Sequence, residues 1–155
     1  MIWRNLIPQK RDSSNYSPKQ LGVGHIYCCV NLPVKTKDKG FCRDIIGVAL
    51  DLTNSKLYFS KNGTWQNSGV PTSGATGTGA LSITAAGSTP LGAYFAASGY
   101  WHSGTLTSNF NFGNGYFGTT AISSGNADDA GYGDFEYDVP AGYYTLCTNN
   151  LGDQS

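Results

Sequence analysis

Charge is scarce in this chain. Asp, Glu, Lys and Arg make up 13% of its 155 residues, and glutamate occurs once, at Glu136. So few ionic groups exclude a charged, disordered tail protein, since such chains stay unfolded through high charge and low apolar content. No apolar run approaches the ~18–20 residues of a membrane span. The opening Met1-Ile-Trp-Arg-Asn-Leu-Ile-Pro8 lacks the long apolar core of a secretory signal. A soluble chain is the expectation, with no membrane partner. Capped helical periodicity is missing as well, so little or no helix is expected. There is no Gly-x-Ser-x-Gly elbow for a nucleophile and no Gly-rich phosphate loop ending in Gly-Lys.

Cysteine is limited to four residues, and their spacing matters more than their number. His25, Cys28, Cys29 and Cys42 lack the paired Cys-x2-Cys knuckles of structural zinc sites. Adjacent cysteines on a strand also point to opposite faces. They read as buried free thiols, and Cys147 reads as a core residue of a terminal strand. No metal and no cofactor are expected.

Glycine is abundant at 21 residues, and aromatic residues reach 13%. With many Ser and Thr, this composition suits an all-β module rich in turns. A chain of this length fits one domain with a sizeable core. Ile46, Val48, Leu50 and Leu52 alternate with Ile45, Gly47, Ala49 and Asp51, a period of two. After the polar turn Thr53-Asn-Ser55 the alternation resumes with Leu57 and Phe59, and Asn62-Gly63 supplies a tight-turn pair. Leu91, Ala93, Phe95 and Ala97 share one face of a further segment. Phe110 and Phe112 do so in the next, and Phe135, Tyr137 and Val139 in the last. The apolar set of each segment, including Ile46, Val48, Leu50, Leu57, Phe59, Phe95, Phe110 and Phe112, is expected to face the core.

The charges that exist are unevenly distributed. Residues 1–45 hold eight Lys or Arg against three Asp, a net of +5, and the remainder balances this at −5. A basic arm for nucleic acid needs interleaved aromatics to stack bases, and these charges are scattered without them. No nucleic-acid partner is expected.

The run Asp44-Ile-Ile-Gly-Val48, Asp51, the polar turn, Leu57-Tyr-Phe59 and Asn62-Gly63 resembles the centre of SPRY domains. These are concanavalin-like β-sandwiches found in ryanodine receptors, ubiquitin ligases and virion proteins of tailed phages. Asn109-Phe-Asn-Phe-Gly113 resembles the family's late strand, and Phe135–Leu151 is similar to the exit segment of the phage members. The resemblance implies an all-β, antiparallel two-sheet sandwich of jelly-roll type over residues 44–151. Residues 1–43 form an atypical basic segment that contributes one or two strands, and 152–155 a polar tail. The family's early Trp/Tyr/Glu strand has no counterpart here. That departure leaves room for completion by another chain or for a homo-oligomer.

Two readings of chemistry compete. Asp134, Glu136 and Asp138 at alternate positions resemble the acidic strand of concanavalin-like glucanases, in which two carboxylates do the chemistry. That pattern places Glu at both outer positions, whereas here Glu136 stands in the middle and alone. The expectation is an outward-facing acidic stripe and no enzyme. The aromatic loop residues Trp65, Tyr100, Trp101 and His102 are the candidate partner-binding set, because aromatics flanked by Gly and Ser are typical of binding loops on rigid β scaffolds. A protein partner is expected, within a phage virion or appendage. A host-surface glycan is the alternative ligand and a glucanase-like hydrolase the third.

Overall fold

A computed structural model describes residues 25–35, 41–98, 107–147 and 150. The described chain is mostly strand, turn and irregular backbone, and its helical elements are short 3-10 turns, at Gln66–Ser68, Pro71–Thr76 and Ala86–Ser88. Two long strands form the frame. Strand β1 (His25–Lys35) runs antiparallel to β2 (Phe41–Asp51) over eleven residues, from His25 opposite Asp51 to Lys35 opposite Phe41. Strand β3 (Lys56–Lys61) pairs with the other edge of β2, with Val48 opposite Phe59 and Leu50 opposite Leu57.

Shorter strands extend this frame. β4 (Thr64–Trp65) and β5 (Leu81–Ser82) both pair antiparallel with β3. β6 (Asn109–Asn111) pairs antiparallel with β1, and β9 (Tyr144–Thr145) pairs parallel with it. β7 (Tyr116–Phe117) and β8 (Thr120–Ala121) make a separate two-stranded hairpin. The β3–β4 turn is Asn62-Gly63, with φ of 48° and 80°. Both central residues at positive φ match the twist of the flanking strands, as the sequence pair predicts.

The buried face of the sheet is the opposite of the one that hydropathy favours. Gly47, Ala49 and Asp51 of β2 and Tyr58 and Ser60 of β3 are buried. Ile46, Val48, Leu50 and Leu57 are only half-buried, and Phe59 keeps 37% of its surface exposed. The reason lies in what covers each side. Tyr27 of β1, Tyr58, Tyr143, Phe135 and Phe117 cluster with Ala49, and Ile45, Trp65, Ala80, Ile122 and Val139 pack around them. Large rings on one layer need small residues opposite, and Gly47, Ala49 and Ser60 provide that relief. A Cβ at position 47 would meet the Ser60 hydroxyl first and lie 2.6 Å from the Tyr27 hydroxyl. Tyr27 meets Phe135 edge-on at 5.1 Å between centroids and Trp65 at 6.4 Å. Such T-shaped pairs satisfy the ring quadrupoles while burying area.

This core is aromatic at its centre and polar at its margin. The Tyr143 hydroxyl donates to Pro71 O at 3.0 Å, and Tyr58 and Ser73 share a hydrogen bond of 3.2 Å. Buried Asp51 accepts from Asn54 N and Asn54 Nδ2, both at 2.8 Å, which closes the β2–β3 turn. Burial, then the charge of Asp51 and then Tyr58, push the Tyr143 proton affinity well above that of a free phenol.

Other expectations need correction. Residues 91–98 form no strand, and Leu91 and Phe95 are exposed there. The chain turns instead, with Thr89 Oγ1 donating to Ala86 O at 2.8 Å and accepting from Ala93 N at 3.1 Å. Phe110 and Phe112 are half-buried and stack on one another at 5.8 Å. Phe135 and Val139 do turn inward as the alternation predicts, but without a regular strand, while half-buried Tyr137 lies against Gly63 of the β3–β4 turn. Among the described residues no helix is long and apolar enough to cross a membrane.

Two outcomes follow from this packing. Gly47→Ala is expected to overpack the core and lower stability by roughly 1–3 kcal/mol in chemical denaturation. Removing the nearer Ser60 hydroxyl in the same chain (Ser60→Ala) should recover part of that loss. The second concerns Asp44, which accepts from Asn62 Nδ2 at 2.9 Å and pairs with Lys61 at 3.0 Å. The Asn62 bond and then Lys61 hold its carboxyl below the ordinary 3.8. A carboxyl lowered on folding stabilises the fold above its unfolded value and loses that effect as pH falls through the folded one. Wild-type and Asp44→Asn stabilities should therefore differ at neutral pH and converge below the 3.8 of the free carboxyl.

Candidate functional site

Of the four aromatic and imidazole residues singled out for binding, the structure describes one. Trp65 follows the Asn62-Gly63 turn on β4, where it pairs with Ser60, and it is half-buried against the aromatic core beside Tyr27. Tyr100, Trp101 and His102 lie outside the described residues, although both stems of their loop are described. Ser98 Oγ donates to Ser108 Oγ at 2.6 Å, so the chain leaves and returns at one point.

The acidic stretch is built differently from a catalytic strand. Residues 134–138 contribute a single bridge, at Phe135, to Asn126. Asn126 N donates to Phe135 O at 3.0 Å, and Phe135 N donates to Asn126 O at 2.9 Å. Glu136 uses both carboxylate oxygens on one neighbour, accepting from Ser123 N at 2.7 Å and from the Ser123 hydroxyl. Chemically this arrangement holds a turn. Asp134 and Asp138 stay exposed on either side of it. Cys147 is a half-buried free thiol. The side chains of Cys28, Cys29 and Cys42 lie outside the described residues. Among those described, no group of three His, Cys, Asp or Glu is placed to hold a metal ion.

What the fold does provide is a pair of loops fixed from beneath by buried polar side chains. Asn111, fully buried at the end of β6, accepts from Gly113 N at 2.7 Å and Asn114 N at 3.0 Å through Oδ1. Its Nδ2 donates to Asp134 O at 2.9 Å, which ties the 112–115 turn to the 131–134 turn. Asp134 N in turn donates to Gly113 O at 3.1 Å. Asp128 is the second anchor. One carboxylate oxygen accepts from Ala130 N and Tyr132 N at 3.0 and 2.9 Å. The other accepts from Thr145 N at 2.7 Å and Asn150 Nδ2 at 2.6 Å. A buried carboxylate is costly unless its lone pairs are filled, and four donors fill these.

The anchored loops carry aromatic side chains outward. Tyr116, one residue past Gly115, is 49% exposed, and Tyr132 is 41% exposed. Exposed Asn114 and Asp134 belong to the same two turns. Neither tyrosine stands out in the sequence, because Tyr116 sits in a Gly/Asn run that reads as filler and Tyr132 between two glycines. The readable signal is Asp128-Asp129, an acidic pair inside a Gly/Ala turn, where a short carboxylate commonly caps backbone N–H groups.

Comparison with family models, with curated proteins and with solved structures finds no match to this chain.

Asp128→Ala is expected to release the 128–132 loop and leave the buried Thr145 N–H without its acceptor. The cost should be roughly 2–4 kcal/mol in denaturant melts, near the upper end for one polar side chain. Hydrogen exchange at Ala130, Tyr132 and Thr145 should accelerate first. Asp128→Asn keeps an acceptor and should fall between the two.

Proposed function

We propose that this chain is a non-catalytic recognition module, a SPRY-like two-sheet β-sandwich that binds a protein partner through its loops. The observation that carries the reading is the display of exposed Tyr132 on the turn fixed by Asp128 and of exposed Tyr116 at the start of β7, directly after the turn fixed by Asn111. A binding loop held by buried hydrogen bonds loses little conformational freedom on contact, and tyrosine offers large amphipathic area with few rotatable bonds. The loop of Tyr100, Trp101 and His102 belongs to the same proposal. The drawn-together stems at Ser98 and Ser108 support it. Trp65 enters as a residue that sets the start of its loop from the core side. The resemblance of Phe135–Leu151 to phage exit segments supports a place in a virion or appendage.

A host-surface glycan is the second reading, favoured by one feature. Exposed Asn114 and Asp134 lie two residues from Tyr116 and Tyr132 in the chain, and sugars are held by aromatic faces beside hydroxyl-binding amide and carboxylate groups. The glucanase reading has less support, because the Glu136 carboxylate is engaged with Ser123.

A photo-reactive phenylalanine analogue placed at 116 or 132, in the particle or cell that makes the chain, tests the assignment. Cross-links to a second protein are expected. Cross-links only to saccharide would shift the reading to the glycan, and none at either position would contradict it. Alanine at both tyrosines should weaken the captured complex by about 2 kcal/mol with little change in melting. β-1,3 and β-1,4 glucans should yield no reducing ends, and release abolished by Glu136→Gln would overturn the non-catalytic assignment.

A further inference from the structure

Asparagine followed by glycine occurs twice in the chain, at Asn62-Gly63 and Asn114-Gly115. The pair is chemically labile, because a glycine nitrogen with no Cβ beside it has open access to the asparagine Cγ. Both asparagines are exposed, and neither glycine N–H donates to an acceptor among the described residues. Water access and the nucleophile are therefore alike at the two sites. The side-chain amides are not.

At Asn62 both amide atoms are held toward β2. Oδ1 accepts from Ile45 N at 2.9 Å, and Nδ2 donates to Asp44 at 2.9 Å. Asp44 is itself paired with Lys61 at 3.0 Å. Turning Cγ onto the Gly63 nitrogen would break both bonds, one of them to a charged acceptor. At Asn114 the amide is almost free. Its Oδ1 accepts from Tyr116 N at 3.4 Å, a long and weak bond, and its Nδ2 has no partner among the described residues. That contact folds the side chain forward over Gly115, as in an Asx turn, and carries Cγ toward the Gly115 nitrogen.

We propose that Asn114 is a self-modifying site, converting to aspartate and isoaspartate in the folded protein, while Asp44 and Ile45 protect Asn62. The Gly115 nitrogen attacks Cγ of Asn114, and the new C–N bond closes a succinimide ring. The Cγ–Nδ2 bond breaks, and Nδ2 leaves as ammonia with the proton that Gly115 gives up. Water then opens the ring. Attack at Cγ gives aspartate, and attack at the main-chain carbonyl carbon gives isoaspartate, with the chain now running through Cγ. The product bears a new negative charge near Asp134, whose Cβ lies 3.3 Å from where a Cβ on Gly115 would stand. Isoaspartate also lengthens the main chain ahead of Gly115, whose carbonyl accepts from Ile122 N at 3.0 Å beside the β7–β8 hairpin. Conversion therefore changes charge and shape at the turn preceding Tyr116, whatever that turn binds.

Peptide mapping by mass spectrometry of the full-length chain, kept folded in warm, mildly alkaline buffer, tests this. The peptide containing Asn114 is expected to exchange its amide for an acid and resolve into aspartate and isoaspartate forms. Asn62 should convert roughly a hundredfold more slowly, because its two bonds must open first. In denaturant the two sites should convert at similar rates, which assigns the difference to the fold. Asp44→Ala should speed Asn62 roughly fivefold and leave Asn114 unchanged. Equal rates in the folded chain, a faster Asn62, or an Asn114 that reacts only once unfolded would each overturn the proposal. So would a difference that persists in denaturant. The wild-type comparison stands without the variant, and an unaltered Asn62 rate in a folded Asp44→Ala chain would overturn the protection assigned to Asp44.

Discussion

The hydroxyls of Ser60 and Tyr27 sit where a side chain at position 47 would otherwise be, and the arrangement of the molecule follows from that contact. With glycine at 47 and alanine at 49, the Tyr27 ring lies close enough to the sheet to meet Phe135 and Trp65 edge-on. That contact decides which face of β2 is interior. Side chains alternate strictly along a strand, so fixing Gly47 and Ala49 inward sends Ile46, Val48 and Leu50 outward. β3 inherits the choice through its register, burying Tyr58 and Ser60 and turning Leu57 and Phe59 out.

Packing large rings against small residues also explains why polar groups are tolerated so deep in the structure. Asp51, Asn111, Asp128 and Thr145 are buried beside the rings, and the described side-chain hydrogen bonds satisfy them within turns or across to neighbouring segments. An unsatisfied buried polar group costs more than its hydrogen bond contributes, so each acts as a geometric constraint on the loop it caps. Irregular segments 112–115 and 128–134 thereby gain the definition that strands acquire from ladders. The region proposed for recognition is thus stiff for a structural reason, and its exposed tyrosines stand on a fixed base.

How much of this the sequence discloses depends on the residue. The β2–β3 hairpin is legible from period-two alternation and from Asn62-Gly63, because both signals are local. Its buried side is not, since alternation is symmetric between the two faces and hydropathy points to the aliphatic one. Tyr27 settles the matter, and its partners Ala49 and Phe135 are remote in the chain. Phe135 and Val139 are legible as inward residues, although the strand expected to carry them is a single bridge. The anchoring roles of Asn111 and Asp128 are beyond sequence reasoning, because each depends on donors brought from other segments by folding. For the candidate site, Trp65 can be placed from sequence only next to a turn. Whether an aromatic beside a turn packs inward depends on the neighbouring strand.

The claim most exposed to test is the side of the sheet on which the aromatic core lies. Nuclear Overhauser contacts between methyl groups and aromatic rings in the folded chain measure it without perturbing the core. Strong contacts are expected from the Ala49 methyl to the Tyr27 and Phe135 rings, with no contact from the Val48 or Leu50 methyls to those rings. Contacts from Val48 and Leu50 to Tyr27 and Phe135, with Ala49 silent, would show the opposite face to be interior and contradict the account.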